Sequence, residues 1–286
     1  MTAKASILKI LVTGASGQLG RELMEWVTDT MVIVGVARDQ LDITSARQCR
    51  DVIEFHRPDV VIHCAAYTAV DKAETEPDEA YRVNEQGTRN IAEAAAAFEA
   101  KFCYISTDYV FDGTSSSPYL EQDQTNPLTV YGKSKLAGER AVQSIVERYF
   151  IVRTSWVYGQ YGNNFVKTML KLAGEQDLLT VVSDQIGSPT YTYDLTAFLI
   201  QLIQTEHYGI YHASNTGSCS WYQFAEAIFE ESEHKVKVEP CTTAEFPRPA
   251  PRPANSVMAH GAIMANGLQD LRPWREALRH YLENGE

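Results

Sequence analysis

The chain has 286 residues, 44% of them hydrophobic, enough for one large core or two unequal ones. Its 37 acidic and 25 basic residues give a formal net charge of −12, which argues against a nucleic-acid or anionic-membrane partner, because phosphate polymers need cationic faces. The five cysteines are scattered without C-x-x-C spacing, and no 18-residue apolar run or cationic-then-apolar start occurs. The expectation is therefore a reduced, cytoplasmic protein with no structural metal and no membrane span.

Residues 7–12 form a mostly apolar run that leads into Thr13-Gly14-Ala15-Ser16-Gly17-Gln18-Leu19-Gly20. Continuous aliphatics suit a strand covered on both faces. The spacing Gly14-x-x-Gly17-x-x-Gly20 supplies a tight turn, close backbone approach to a phosphate and close packing of the next helix. That helix is predicted over 19–27 and a second strand over 31–36, so the triplet sits where a dinucleotide loop belongs. The second strand ends in Ala37-Arg38-Asp39. A carboxylate there binds the ribose hydroxyls of NAD, whereas arginine accommodates the 2′-phosphate of NADP. Arg38 is read as that phosphate contact, with a solvated surface arginine as the alternative. Asp42-Ile43-Thr44 reads as a helix cap, with Asp42 also placed to reach the adenine amino group.

Residues 59–63 form the third strand after Pro58, and the small residues of Cys64-Ala65-Ala66-Tyr67-Thr68 suit a loop passing close to a cofactor. A long helical pattern covers 77–98. Asn84 within it is either a polar helix-face residue or the holder of a water beside a catalytic lysine. The fourth strand, 101–105, runs into Ser106-Thr107-Asp108-Tyr109-Val110-Phe111, which places Thr107 and Asp108 beyond its carboxyl end, where sites in parallel α/β sheets lie. Tyr131-Gly132-Lys133-Ser134-Lys135 opens the next helical run, and the four-residue spacing sets Tyr131 and Lys135 on one face. A phenol near a fixed ammonium can pass its proton to a developing oxyanion, the work of a general acid in carbonyl reduction.

Strands alternate with helices through residue 153, predicting a Rossmann-like doubly wound parallel sheet, with a nucleotide-binding domain over 1–160. The alternation then loosens. Asn163-Asn164 starts a basic helix, 184–190 is a turn-rich loop, and helices are expected over 192–203, 221–229 and 273–282, with a short strand over 209–212. Residues 246–253 hold four prolines with Arg248 and Arg252, an ordered loop that can bring arginine to a phosphate. Residues 161–286 are thus expected to form a smaller α/β substrate domain that partly returns to the sheet.

Together these residues resemble the extended short-chain dehydrogenases/reductases, and more narrowly the dTDP-4-dehydrorhamnose reductases, nearly end to end. The narrower matches are Tyr104-Ile105-Ser106-Thr107-Asp108-Tyr109-Val110-Phe111, Arg153-Thr154-Ser155-Trp156 and Arg252-Pro253-Ala254-Asn255-Ser256. The resemblance implies that Tyr131 protonates the 4-keto oxygen of a dTDP-sugar as hydride arrives. Lys135 would bind the nicotinamide ribose and hold down the proton affinity of the phenol. Thr107 would hydrogen-bond the same oxygen, Asp108 a neighbouring hydroxyl, and Trp156 would pack on the sugar. Gly14, Gly17, Gln18 and Leu19 would meet the pyrophosphate, Asp42 and Ile43 the adenine, and Ala66, Tyr67 and Thr68 the middle of the cofactor. Asn163, Asn164 and Arg252 would face the thymidine diphosphate.

With Arg38 in place of the acid, NADPH is the expected cofactor and NADH is tolerated; Asp39 swinging inward is the competing possibility. Some members dimerise through a carboxylate-bound magnesium. Glu22 matches one ligand, but a later glutamate falls at or beside Tyr193, so no metal and a monomer or weak homodimer are expected. Two other readings stay open. A sugar-nucleotide dehydratase needs an Asp-Glu pair where Asp108-Tyr109 stands, and a non-enzymatic regulatory subunit, like that of methionine adenosyltransferase, would keep the same motifs unused.

Overall fold

The computed structural model describes residues 7–26 and 28–284. Continuous aliphatic strands set the centre. β1 (Leu8–Thr13) is followed by α1 (Gln18–Met24), β2 (Met31–Val36), α2 (Ala46–His56), β3 (Val60–His63), α3 (Val70–Ala73) and α4 (Pro77–Tyr81). The expected end of α1 at Val27 lies outside the described residues. A π-helical turn (Arg82–Gly87) separates α4 from α5 (Thr88–Ala97), so the pattern predicted as one helix over 77–98 is three pieces. Asn84 lies in that turn. β4 (Lys101–Thr107) ends in a 3₁₀ turn (Asp108–Val110), and α6 (Val130–Ile145) and β5 (Tyr149–Thr154) follow.

Five of these strands and a later one form a six-stranded parallel sheet, every pairing parallel. After β6 (Val157–Tyr158), α7 (Phe165–Ala173), β7 (Leu178–Val182), β8 (Ile186–Gly187) and β9 (Thr190–Tyr191), the chain comes back through α8 (Thr192–Ile203) to β10 (Gly209–His212). β10 pairs with β5, giving the order β10-β5-β4-β3-β1-β2. The remaining elements are β11 (Cys219–Ser220), α9 (Trp221–Glu231), β12 (Lys237–Cys241), α10 (Gly261–Ala265) and α11 (Trp274–Asn284).

The order reverses direction at β1, between β3 and β2, the switch point outside whose carboxyl ends a crevice forms. One apolar layer lies between the sheet and α1, α8 and α10, built around Ile10, Val12, Ile62, Phe150, Val152 and Leu199. The opposite layer joins Leu11, Val61, Phe102, Tyr104 and Ile151 to α2, α5 and α6. A separate cluster of Tyr158, Val166, Leu179, Phe224, Ile228, Leu278 and Tyr281 fills the second lobe. Side-chain hydrogen bonds fasten the lobes together. The Gln18 amide donates to the Val157 carbonyl (3.1 Å) and accepts from Asn164 (3.0 Å), and Thr192 donates to the buried Glu22 carboxylate (2.8 Å).

The cap expected at Asp42 is a correction. α2 is capped by Ser45, whose hydroxyl accepts from the Gln48 amide. Asp42 instead folds its carboxylate onto the backbone N–H and hydroxyl of Thr44, at 3.0 and 2.8 Å. That short Asx turn spends the Asp42 side chain on Thr44, before the helix begins at Ala46.

Candidate active site

The carboxyl ends of β1, β3 and β4, the start of α6 and the loops of the second lobe enclose one cavity of about 1770 Å³. Pockets for a single drug-sized ligand run to roughly 1,000 Å³ at most, so this one has room for two. At one end lies the glycine turn. Gly14 has φ +69, and a Cβ there would sit 2.7 Å from the Ala65 amide nitrogen. At Gly20 a Cβ would meet the Gly14 carbonyl oxygen at 2.3 Å, so α1 packs against the turn only because that position is bare. Gly17, Gln18, Leu19, Arg38, Asp42, Ile43, Ala66, Tyr67 and Thr68 line this end. Arg38 makes no hydrogen bond or ion pair among the described residues, leaving its fork available to an anion.

In the middle stand Thr107, Asp108, Tyr131 and Lys135, all lining the cavity. Thr129 caps α6 by accepting from the Gly132 amide, which fixes Tyr131 in the first turn with Lys135 one turn on. Lys135 Nζ donates to the Ile105 carbonyl (2.8 Å) and lies 4.1 Å from the Tyr104 ring centroid. Burial pulls its ammonium down to about 7, against the carboxylate of Glu139 and the thiol of Cys64, which hold it up. Burial pushes the Tyr131 phenol up to about 12, opposed by the Thr107 hydroxyl and aided by Asp108. Burial thus leaves the phenol protonated at neutral pH, the form that a proton donor needs.

Burial also raises Asp108 to about 6, while the hydroxyls of Ser256 and Thr107 pull it back. Its Oδ1 accepts from Thr107 Oγ1 (3.0 Å), but its buried Oδ2 makes no hydrogen bond of good geometry among the described residues, although the Ser256 hydroxyl stands near the carboxylate. An orphaned buried carboxyl oxygen is costly unless a ligand completes it. Asn84 lies behind this centre. Its Oδ1 accepts from the Tyr67 amide (2.8 Å), and its Nδ2 donates to the Tyr67 carbonyl (3.0 Å) and to Ser134 (2.9 Å). Asn84 thus ties the cofactor-side loop to α6 through its side chain.

The far end is aromatic and cationic. Trp156, at φ +48, stacks on Trp221 with ring centroids 3.6 Å apart, and both line the cavity with Asn163, Phe165, Phe246, Arg248 and Arg252. Asn164 does not line it. As the cap of α7, its Oδ1 accepts from the Lys167 amide, and its Nδ2 is spent on Gln18 and the Gly159 carbonyl. Arg248 and Arg252 both converge on Asp71, whose Oδ1 also accepts from the Ala250 amide and so holds the loop. Trp221 carried no sequence signal of its own, and Asp71 was marked only as the last residue of Ala65-Ala66-Tyr67-Thr68-Ala69-Val70-Asp71, a run the family resemblance covers, with no pointer to its partners. Trp221 opens an ordinary amphipathic helix, and Asp71 pairs with arginines 177 and 181 residues away.

Glu22, buried and bonded to Thr192, is held above the usual carboxylate range by desolvation. Tyr193 packs on Trp26 and His280. Among the described residues no three His, Cys, Asp or Glu side chains gather as a metal site, and no helix is long and apolar enough to cross a membrane.

The family model for the RmlD substrate binding domain matches residues 8–286. The chain belongs to this family of dTDP-4-dehydrorhamnose reductases. The spore coat polysaccharide biosynthesis protein SpsK of Bacillus subtilis is 46% identical over 276 residues, covering 96% of this chain and 97% of the relative. The dTDP-4-dehydrorhamnose reductase of Aggregatibacter actinomycetemcomitans is 45% identical, covering 95% and 97%. Among solved structures, the dTDP-4-dehydrorhamnose reductase of Bacillus anthracis, in complex with NADP, superposes with a TM-score of 0.95 at 47% identity, covering 96% of this chain and 99% of that one. Membership spans both lobes, so the family fold includes the return of the chain through β10 to the sheet.

Proposed function

We propose that the protein uses NADPH to reduce the 4-keto group of dTDP-4-dehydrorhamnose to the alcohol of dTDP-L-rhamnose, with Tyr131 as proton donor. The reading rests above all on one juxtaposition: a half-buried, protonated phenol and an orphaned carboxyl oxygen in a single cavity that begins at a glycine turn and ends at arginines. The free fork of Arg38 and the bare Gly14 and Gly20 suit a dinucleotide phosphate at one end.

A bound NADPH supplies the hydride. As the carbonyl carbon accepts it, Tyr131 Oη donates its proton to the oxygen, so the ketone gains both parts of the new alcohol and the phenol becomes phenolate. The Lys135 ammonium, one turn along α6, favours that phenolate, and solvent restores the proton. Thr107 Oγ1 accepts from the Tyr109 amide (3.2 Å), so turning its hydrogen from Asp108 toward the substrate oxygen leaves it anchored. Asp108 Oδ2 then takes a sugar hydroxyl, and Trp156 on its Trp221 backing presents a flat face to the ring. Arg252, half-neutralised by Asp71, faces the diphosphate. Residues 161–286 supply most of the sugar-nucleotide contacts.

With Glu22 already bonded to Thr192 and Tyr193 carrying no carboxylate, the chain works without magnesium, as a monomer or weak pair. Incubating purified protein with NADPH and dTDP-4-dehydrorhamnose tests the reading: NADPH is consumed one-for-one with appearance of dTDP-L-rhamnose, with or without EDTA. NADPH left unconsumed in the presence of that substrate contradicts it.

A further inference from the structure

β2 ends without a ribose-binding acid, yet the same end of the cavity carries a carboxylate from another element. Glu79 of α4 lines the cavity together with Arg38, Asp42, Thr44 and Arg82. Arg82 meets Glu79 in a bidentate bridge, Nε to Oε2 at 2.8 Å and Nη2 to Oε1 at 2.7 Å. Its third arm, Nη1, donates to Thr44 Oγ1 (2.8 Å), and that hydroxyl donates to Asp42 (2.8 Å). Arg38 and Arg82 thus face Asp42 and Glu79 here, with the Lys72–Glu76 pair close by on the cavity wall, and Arg82 is locked to Glu79. The lock is open to solvent, with the Arg82 and Glu79 side chains 47% and 31% exposed, so its partners can be exchanged.

We infer that the Glu79–Arg82 bridge is a specificity-determining element that sets the ratio of NADPH to NADH binding. The inference rests on the cofactor reading above, in which Arg38 meets the 2′-phosphate. A 2′-phosphate dianion entering beside Arg38 is attracted by Arg82 and repelled by Glu79. A 2′-hydroxyl in its place finds in Glu79 the acceptor that β2 lacks. The bridge thus keeps both cofactors usable: Glu79 restrains the phosphate form, and Arg82 supports it. The field of Arg38 reaches both acids; Glu79 is held below the usual carboxylate range first by Arg82 and then by Arg38 among its cations. Asp42 is likewise lowered, mainly by Thr44. Both acids are therefore ionised at neutral pH and act with full charge.

The test is direct binding, by calorimetry, of NADPH, NADH, 2′,5′-ADP and 5′-AMP to the full chain and to three variants. Glu79→Gln removes the repulsion and frees two donors of Arg82, so NADPH and 2′,5′-ADP should bind roughly three- to tenfold tighter, the scale of one partly screened charge, while NADH weakens. Arg82→Gln should weaken NADPH and 2′,5′-ADP by a similar factor and leave NADH and 5′-AMP within about twofold. Arg38→Ala is the control for the underlying reading. If it leaves NADPH binding unchanged, the phosphate site is elsewhere and both readings fall. If it weakens NADPH while Glu79→Gln and Arg82→Gln leave the NADPH/NADH binding ratio unchanged, only the bridge is overturned. Melting temperatures run alongside show that each variant is folded.

Discussion

Replacing Glu139 by glutamine probes the buried centre behind the lysine. Glu139 is 1% exposed and Arg153 3%. The carboxylate accepts from Arg153 Nε at 2.9 Å and Nη2 at 2.8 Å, and from the Ser106 hydroxyl at 2.5 Å. Glutamine keeps the volume but turns one acceptor into a donor that faces the guanidinium, leaving a buried cation without its counter-charge. Removing one partner of such a pair costs about 3–5 kcal/mol, more than the pair adds to stability, because the loss is dominated by the stranded charge. For a chain of this size each kcal/mol moves the melting temperature by about 2–4 °C, so a drop of roughly 6–20 °C is expected by scanning calorimetry at pH 7. Glu139→Leu combined with Arg153→Met, which strands no charge, should recover most of it. Glu139 also helps hold the Lys135 ammonium up, so any activity left in Glu139→Gln should lose its alkaline limb at lower pH than the parent. A melting temperature within 2 °C of the parent, or a double variant as unstable as the single one, refutes this reasoning.

Gly20→Ala drives a methyl into the Gly14 carbonyl, so α1 must move off the turn; NADPH affinity should fall at least about tenfold, with a stability loss of about 1–3 kcal/mol seen in denaturant titration. His63 and His212 are pushed by burial down to about 3, so the unfolded chain binds two more protons than the folded one below its ordinary value of 6.5. Their contribution is present above that value and lost as pH falls toward 3, offset in part by Asp108, whose raised carboxyl acts in the opposite sense below about 6. Stability should fall by about 1.4 kcal/mol per pH unit per net proton from pH 6.5 downward, and a flat profile in urea titrations would contradict it. Trp221→Ala removes the backing of Trp156, so KM for the sugar nucleotide should rise several-fold while NADPH binding, measured by calorimetry, stays within about twofold.

The parts of this fold legible in the sequence are those governed by local rules. β2, α8 and β10 fall on the predicted residues because aliphatic runs and their flanking breakers set the bounds. The glycine spacing placed the cofactor turn, and Tyr131 with Lys135 follows from the four-residue period of a helix. What stayed hidden depends on distant partners. The π-helical turn at Arg82–Gly87 has a helical composition and shows itself only through Asn84, which reaches Tyr67 and Ser134. Asn164 looked like a ligand contact because asparagine caps and asparagine ligands read alike in sequence. Arg248 and Arg252 were legible as arginines in a rigid loop, but the Asp71 that orients them was not.

The central claim is that Tyr131 delivers the proton to the 4-keto oxygen, and Tyr131→Phe tests it most directly. The substitution keeps the ring, including its edge contact with Tyr109 at 5.5 Å, and removes only the donor. With NADPH and dTDP-4-dehydrorhamnose, kcat should fall by roughly 10²–10⁴-fold, the usual worth of a positioned acid, while NADPH binds as before. A Tyr131→Phe protein that binds NADPH normally and reduces the sugar at near the parent rate would contradict the account.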